Sequence, residues 1–138
     1  MEMNRRTLLE TVAAVLAAST TLPAAELQPV LLNADHARAE THPFGSQRIY
    51  CDGATPGLKS LVVGSLVLNP GQQPHPPHTH PDEEILIVTE GSGQITLNGA
   101  ASKVEAGGVM YVTPNYLHGI LNTGSTPLTF YFIKWIAQ

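Results

Sequence analysis

The sequence predicts a small all-β domain of antiparallel strands, folded as a sandwich or a barrel. The chain has 12 glycines and 11 prolines in 138 residues, and so many turn-forming residues indicate many short strands. Helical segments that could connect parallel strands are too few, so the strands are expected to pair antiparallel. The length suits one domain with its own hydrophobic core.

The composition excludes several classes of function. The formal net charge is −4, and the basic face that a nucleic-acid partner requires is not visible in the sequence. Cys51 is the only cysteine, so no intrachain disulfide and no thiolate metal cluster can form. Any metal must therefore be bound by nitrogen and oxygen. We expect Cys51 to be a buried small residue rather than a nucleophile.

The first 25 residues resemble an export signal of the twin-arginine type. Arg5 and Arg6 precede an apolar, alanine-rich run over 11–22, and small residues follow as far as Ala25. The run is too short to serve as a permanent membrane anchor. We expect residues 1–25 to be a helical signal peptide removed near Ala25, which predicts a periplasmic or extracellular protein. An ordinary amphipathic N-terminal helix is the alternative.

Residues 26–44 carry weak signals and are expected to form an N-terminal arm before a barrel domain at 45–138. Within this arm, 30–32 is predicted as a short strand. Residues 34–40 are predicted as a helical turn, because an asparagine cap precedes them and an aspartate lies in the first turn.

From Gly45 onward, apolar runs alternate with turn residues, which is the pattern of short strands. Asn98-Gly99 is the clearest hairpin signal, because both positions tolerate a positive φ. Turns are also predicted at 52–53, 69–71 and 91–93. The predicted strands are 48–51, 61–68, 85–89, 94–97, the strand that follows Gly99, 109–112, 119–121 and 128–136.

One stretch, residues 74–91, carries the chemistry and reads PHPPHTHPDEEILIVTEG. His78, His80 and Glu84 share parity, so in a strand their side chains can face the same side of a sheet. Two imidazoles and one carboxylate on one face form a ligand set that first-row transition metals accept while positions stay open for a substrate. The stretch therefore predicts a metal site.

Two motifs together cover about residues 61–136. The first has Gly71, His78, His80, Glu84 and Gly91, and the second has Gly107, Pro114, His118 and Asn122. Both resemble the motifs of the cupin superfamily. One more residue than is usual separates Gly71 from His78, and Thr113 and Asn115 replace a usual proline and glycine. Asparagine suits the second replacement, because it tolerates the left-handed backbone region.

The resemblance implies a small antiparallel jelly-roll β-barrel that holds one divalent transition metal ion. The implied ligands are His78, His80, Glu84 and His118. Iron or manganese is favoured, with nickel, zinc and copper as alternatives. Copper and zinc bind nitrogen and oxygen ligands more tightly than iron or manganese does. A protein exported in the folded state would take up its metal in the cytoplasm, away from competing copper and zinc, which supports this preference.

The other histidines are not predicted to bind metal. His36 and His42 lie in the arm without a partner at ligand spacing, so we expect surface positions for both. His75 has odd parity relative to His78. A surface position or a supporting contact is expected for it rather than direct ligation.

Several neighbours of the motif residues also have expected roles. Glu83 is out of phase with Glu84 and should face away from the metal, and Asp82 is expected to serve the turn after Pro81. Some residues could line a ligand pocket, although core packing is the commoner role of such side chains in a barrel. These are Gln73, Met110, Tyr111, Tyr131, Phe132 and Trp135.

Partners follow from the same sequence features. Residues 128–136 are almost continuously apolar, with Lys134 as the only charge, so both faces of this strand should be covered. A second subunit could supply one cover, which predicts a homodimer. Few basic residues lie in the barrel region, so a small organic molecule is expected as ligand or substrate and a highly phosphorylated one is disfavoured.

The predicted site is compatible with two classes of function. The first is a mononuclear metalloenzyme that acts on a small organic molecule, with Glu84 as both ligand and catalytic proton acceptor. The resemblance favours dioxygenase chemistry, followed by isomerase, decarboxylase or lyase chemistry. The alternative is a non-catalytic module that binds or senses a sugar or a phenolic compound.

Overall fold

The computed structural model describes residues 25–138 of the chain. The predicted signal peptide at 1–25 lies outside the described residues apart from Ala25. Across the described part, no helix has the length and apolarity needed to cross a bilayer.

Nine strands form the described part of the chain, and two sheets divide them. The larger sheet has the order β1-β2-β3-β9-β4-β7, and the smaller has the order β6-β5-β8. The strands are β1 (Arg38–His42), β2 (Gly45–Thr55), β3 (Leu58–Leu68), β4 (Glu83–Glu90), β5 (Ser92–Leu97), β6 (Ala100–Glu105), β7 (Val109–Val112), β8 (His118–Leu121) and β9 (Leu128–Ala137).

Every strand pair is antiparallel, which confirms the predicted fold class. Apolar side chains from both sheets fill one core, because alternate residues of each strand point inward. Leu68, Val88 and Leu128 are fully buried in the larger sheet, and Ile95 and Ile120 come from the smaller one.

The structure confirms two backbone predictions. Asn98 and Gly99 have φ values of 48° and 85° and connect β5 to β6 in a two-residue hairpin. Asn115 has a φ of 61°, so it adopts the left-handed conformation that a glycine would otherwise supply.

Three predictions for the first half of the chain are wrong. Residues 34–36 form a turn and the chain then enters β1, because pairing with the edge of β2 overrides a weak helical signal. Residues 30–32 form no strand and are exposed. Residues 52–53 lie inside β2, and the turn comes later, at 56–57. A Cβ on Gly53 would lie 3.1 Å from the Leu27 side chain, so this glycine serves close packing rather than a turn.

The turn predicted at 91–93 is shorter than expected, because β5 already begins at Ser92. We expect Gly91→Ala to be less stable than Gly107→Ala. Both glycines have positive φ, 79° and 91°, which costs a residue with a Cβ about 1–2 kcal/mol. A Cβ at Gly91 would also lie 2.4 Å from the Pro127 carbonyl oxygen, whereas one at Gly107 would meet nothing within 4 Å.

Urea denaturation of the two variants separates these contributions. The steric contact should make the unfolding free energy of Gly91→Ala lower than that of Gly107→Ala by about 1–3 kcal/mol. Equal losses would show that only the backbone conformation matters at these two turns.

Candidate metal centre

The predicted ligands come from three places in the fold. His78 and His80 lie in the connection between β3 and β4, Glu84 lies on β4, and His118 begins β8. The backbone N–H of His78 donates to the His118 carbonyl at 2.9 Å, and that of His118 donates to the His78 carbonyl at 3.0 Å. This pair of hydrogen bonds joins the two sequence motifs.

The alternation argument for His78 and His80 is wrong, although the structure does bring both residues together. His80 lies outside any strand, and His78 takes part only in the isolated bridge to His118. The connection reaches the site because the turn before it is also anchored. Gly71 N–H donates to the Asn122 carbonyl at 2.8 Å, and Asn122 N–H donates to the Gln72 carbonyl at 2.9 Å.

Three imidazoles and one carboxylate converge at this point. One ring nitrogen from each of His78, His80 and His118 lies within 4.8 Å of the other two, so the three histidines could hold a metal ion. Glu84 Oε2 accepts hydrogen bonds from His80 Nε2 at 2.8 Å and from His118 Nε2 at 3.0 Å. Glu84 and His118 are buried, with exposed fractions of 8% and 4%.

The outer nitrogens of the rings fix their orientation. His118 Nδ1 donates to the Tyr116 carbonyl at 2.8 Å. A carbonyl only accepts, so this contact places a hydrogen on Nδ1 and directs Nε2 into the site. With Nε2 also donating to Glu84, the ring is an imidazolium in the absence of metal, and a metal ion would displace the Nε2 proton on binding. His80 Nδ1 lies 3.5 Å from Asp82 Oδ2 and, within residues 25–138, makes no hydrogen bond. Asp82, predicted only as a turn residue, thus faces a candidate ligand.

Burial and mutual contact shift the pKa values of the cluster. Burial opposes ionisation of Glu84, but hydrogen bonds from His118 and His80 outweigh it and lower the pKa of this carboxyl. Burial likewise opposes the charge on His118, while the hydrogen bonds to Glu84 and to the Tyr116 carbonyl raise its pKa. Glu84 is therefore ionised at neutral pH, which is the form that binds a metal.

His78 shows the opposite shift from His118. Burial, followed by the charges of His75, His118 and His80, lowers the pKa of His78 to about 4. Its imidazole is therefore neutral at neutral pH and keeps a free lone pair for a metal. The donor set thus fits a divalent transition metal, for which neutral imidazole and carboxylate are suitable ligands.

The site opens into a cavity of about 350 Å³. This volume lies at the lower end of ligand pockets and suits a small molecule. Apolar side chains dominate the lining away from the histidines. They are Phe44, Leu66, Leu86, Met110, Ile120, Phe130 and Phe132.

Only some of the predicted pocket residues contact this cavity. Met110 and Phe132 line it, whereas Tyr111 and Tyr131 lie on the opposite face of the sheet and are exposed. Tyr111 donates to Glu83 Oε2 at 2.7 Å, which confirms that Glu83 faces away from the metal centre. Gln73 and Trp135 do not line the cavity.

The structure also separates the other histidines. His36 is exposed, as predicted. The surface position predicted for His42 holds only in part: the side chain is 32% exposed, but its Nε2 is buried, its ring stacks on Phe44 at 4.8 Å, and it lines the cavity. His75 stacks on His78 with 3.7 Å between ring centroids, and its Nδ1 donates to the Pro76 carbonyl at 2.9 Å.

Sequence reasoning missed three polar side chains that line the cavity. They are His42 at the end of β1, Gln47 on β2 and Lys134 on β9. Lys134 lies at alternate positions with Phe130 and Phe132, so the sequence indicates that these three side chains share one face of the strand. Because the strand is apolar on both faces, the sequence does not indicate which face points into the barrel, and the position of Lys134 could not be predicted.

Comparisons with known proteins agree with this fold. Residues 64–134 match the Cupin domain family model. A stretch of 72 residues is 31% identical to dimethylsulfoniopropionate lyase DddW from Ruegeria pomeroyi, covering 52% of this chain and 47% of that protein. The chain therefore spans about half the length of this relative.

Two solved structures illustrate the shared fold. One is an RmlC-like cupin from Shewanella frigidimarina, with a TM-score of 0.66 at 17% identity over 85% of this chain and 96% of that one. The other is the polyketide cyclase RemF from Streptomyces resistomycificus, with a TM-score of 0.63 at 20% identity over 78% and 80%. With the matched family model and the jelly-roll architecture in agreement, the chain belongs to the cupin family.

Proposed function

We propose that the protein is a metalloenzyme that binds one divalent transition metal ion and acts on a small organic molecule in the adjoining cavity. The proposed ligands are His78, His80, Glu84 and His118. The observation that carries the proposal is the convergence of three imidazoles on one carboxylate, with Glu84 Oε2 in contact with two of the rings. A bound metal would act as a Lewis acid toward a substrate oxygen, and iron or manganese is the favoured ion.

Glu84 has two oxygens with different environments. Oε2 accepts the hydrogen bonds from His80 and His118, while Oε1 accepts none from the described residues. Oε1 is therefore the atom at which Glu84 can accept a substrate proton, which would make it the catalytic residue. The apolar lining excludes water from the substrate and strengthens these polar interactions.

A lyase reaction is the preferred class, because one of the relatives that match the sequence is a lyase. Dimethylsulfoniopropionate, the substrate in that relative's name, is the first compound to test. Dioxygenase chemistry stays a prediction from the sequence, and a non-catalytic module that binds a sugar or phenolic compound is the alternative. These three possibilities differ in their need for oxygen and in turnover.

One experiment on natively expressed protein separates them. Elemental analysis gives the metal content, and product formation is then measured on dimethylsulfoniopropionate, catechols and small keto acids with and without oxygen. A lyase turns over without oxygen, a dioxygenase consumes it, and a binding module shows saturable binding alone. Turnover should disappear in Glu84→Gln and persist in His36→Ala, whose histidine is exposed. Protein that contains no metal and turns over none of the compounds contradicts the proposal.

We also propose that the protein is exported with its N-terminal segment removed near Ala25. The paired arginines at Arg5 and Arg6 support this proposal. N-terminal sequencing of protein from the periplasm or medium should give a start close to Glu26. Retention of residues 1–25 in a cytoplasmic fraction would contradict it.

A homodimer is the proposed assembly, formed through the outer face of the larger sheet. Val109, Tyr111 and Tyr131 are 64%, 52% and 37% exposed on this face. The register places Ile85 and Ile87 between them, so the apolar surface is continuous. Size-exclusion chromatography with light scattering should show a dimer at micromolar concentration, and a monomer there would contradict this assembly.

A further inference from the structure

Lys134 lines the cavity beside the metal centre. On β9 the side chains of Phe130, Phe132 and Lys134 follow one another at alternate positions, and all three line the cavity. In the sheet register Lys134 lies directly opposite Glu84 on β4. Directly paired residues project from the same face at short Cβ distances, so the lysine and the metal-site carboxylate are neighbours.

No residue of the described chain neutralises Lys134. Glu84, its partner in register, forms no salt bridge with the ammonium although Oε1 is free, and its Oε2 accepts from His80 and His118. Within residues 25–138, Lys134 forms neither a salt bridge nor a side-chain hydrogen bond, although its side chain is half-buried. By contrast, the exposed Lys103 lies 3.5 Å from Glu105. A partly buried ammonium without a partner is costly, so an external anion would stabilise it.

We propose that Lys134 binds the carboxylate of a small monocarboxylic substrate. This inference rests on the proposed function, because it places the substrate in the same cavity. A single lysine acts as one compact positive charge and matches one carboxylate, whereas a phosphate dianion usually requires several donors. The rest of the substrate would face mainly apolar side chains, among them Leu66, Leu86 and Ile120, with His42 and Gln47 as polar exceptions.

Matched acids and amides test the charge contact. Binding of hexanoate and hexanamide, and of benzoate and benzamide, is measured by calorimetry on natively expressed protein whose metal content has been determined. Each amide keeps the shape of its acid and lacks the charge. Wild type should bind each acid at least about 10-fold more tightly than its amide, because hydrogen bonds to charged groups contribute more than neutral ones.

Lys134→Met removes the charge and keeps most of the length of the side chain. In this variant the acid-to-amide affinity ratio should fall about 10-fold, while the affinity for the amide changes little. Lys134→Arg should retain the preference for the acid. Lys59→Met, which removes a lysine from an exposed position of β3, is the matched control and should leave the ratio unchanged. Lys134→Gln gives the same comparison if circular dichroism shows that the methionine variant folds poorly.

The outcomes separate this inference from the proposed function. An acid-to-amide ratio that is the same in wild type and in Lys134→Met overturns the inference, as does a wild type that binds none of the acids at millimolar concentration. Metal binding and turnover can persist in either case, so the metalloenzyme proposal would stand. If the ratio depends on Lys134 while the protein takes up no metal and turns over no substrate, the inference stands and the proposed function fails.

Discussion

His118→Ala is expected to lower the affinity for the metal ion by more than about 100-fold. Replacing a residue that only orients a metal ligand already lowers metal affinity by about 10–100-fold, and loss of the ligand itself should have a larger effect. His118 begins β8 and presents Nε2 to the site, while its Nδ1 donates to the Tyr116 carbonyl at 2.8 Å. The residue is 4% exposed and lines the cavity, so in the alanine variant water from the cavity would replace the imidazole as a weaker ligand. Competition with a chelator of known affinity measures the change.

The same variant also leaves Glu84 with one histidine contact instead of two. Glu84 is buried, so its carboxylate would lose part of the interaction that keeps it ionised. A His118→Gln variant separates the two effects, because the amide can still donate to Glu84 but is a poor metal ligand. His36→Ala is the control for histidine loss at an exposed position. Equal metal affinity in wild type and His118→Ala would show that the site assignment is wrong.

The fold class and the four convergent side chains could be predicted from the sequence, and the reasons are local. Asn98-Gly99 determines a hairpin through its own φ preferences, and glycines and prolines mark most of the other turns. The spacing of His78, His80 and Glu84 matched a known motif. It did so even though His80 lies outside any strand, so strand alternation was not the reason for the convergence.

The features that sequence reasoning missed depend on contacts between distant segments. β1 forms because Arg38 to His42 meet the free edge of β2, and nothing within those residues specifies that edge. His42 reaches the cavity for the same reason. Asp82 approaches His80 through the path of the connection before β4, which local turn preferences do not determine.

Asn122 shows how the last position of the second motif supports the first. Its Nδ2 donates to the carbonyls of Leu68 and Thr126, both at 2.9 Å, and its Oδ1 accepts from Gly124 N–H at 2.9 Å. The side chain has no exposed surface. Through its backbone, Asn122 also bonds to Gly71 and Gln72, at the start of the connection that carries His78.

Asn122→Leu is therefore expected to destabilise the protein by about 2–4 kcal/mol, because leucine is similar in size but leaves the buried Leu68 carbonyl without this partner, and also the Thr126 carbonyl and Gly124 N–H, which are only partly buried and cost less. Each unpaired group costs about 1–3 kcal/mol. Urea denaturation of the metal-free protein measures the loss, with Asn33→Leu as the control at an exposed asparagine. A loss below about 1 kcal/mol would mean that water satisfies these groups.

The metal affinity of Asn122→Leu distinguishes a structural role from ligation. Asn122 contacts no ring of the site, so its loss acts through the backbone that joins β8 to the connection before β4. We expect the affinity to fall by about 10-fold, as for a residue that orients a ligand, and so by much less than in His118→Ala. If the two variants lose affinity equally, the position of the loop that carries His78, more than the number of ligands, limits metal binding.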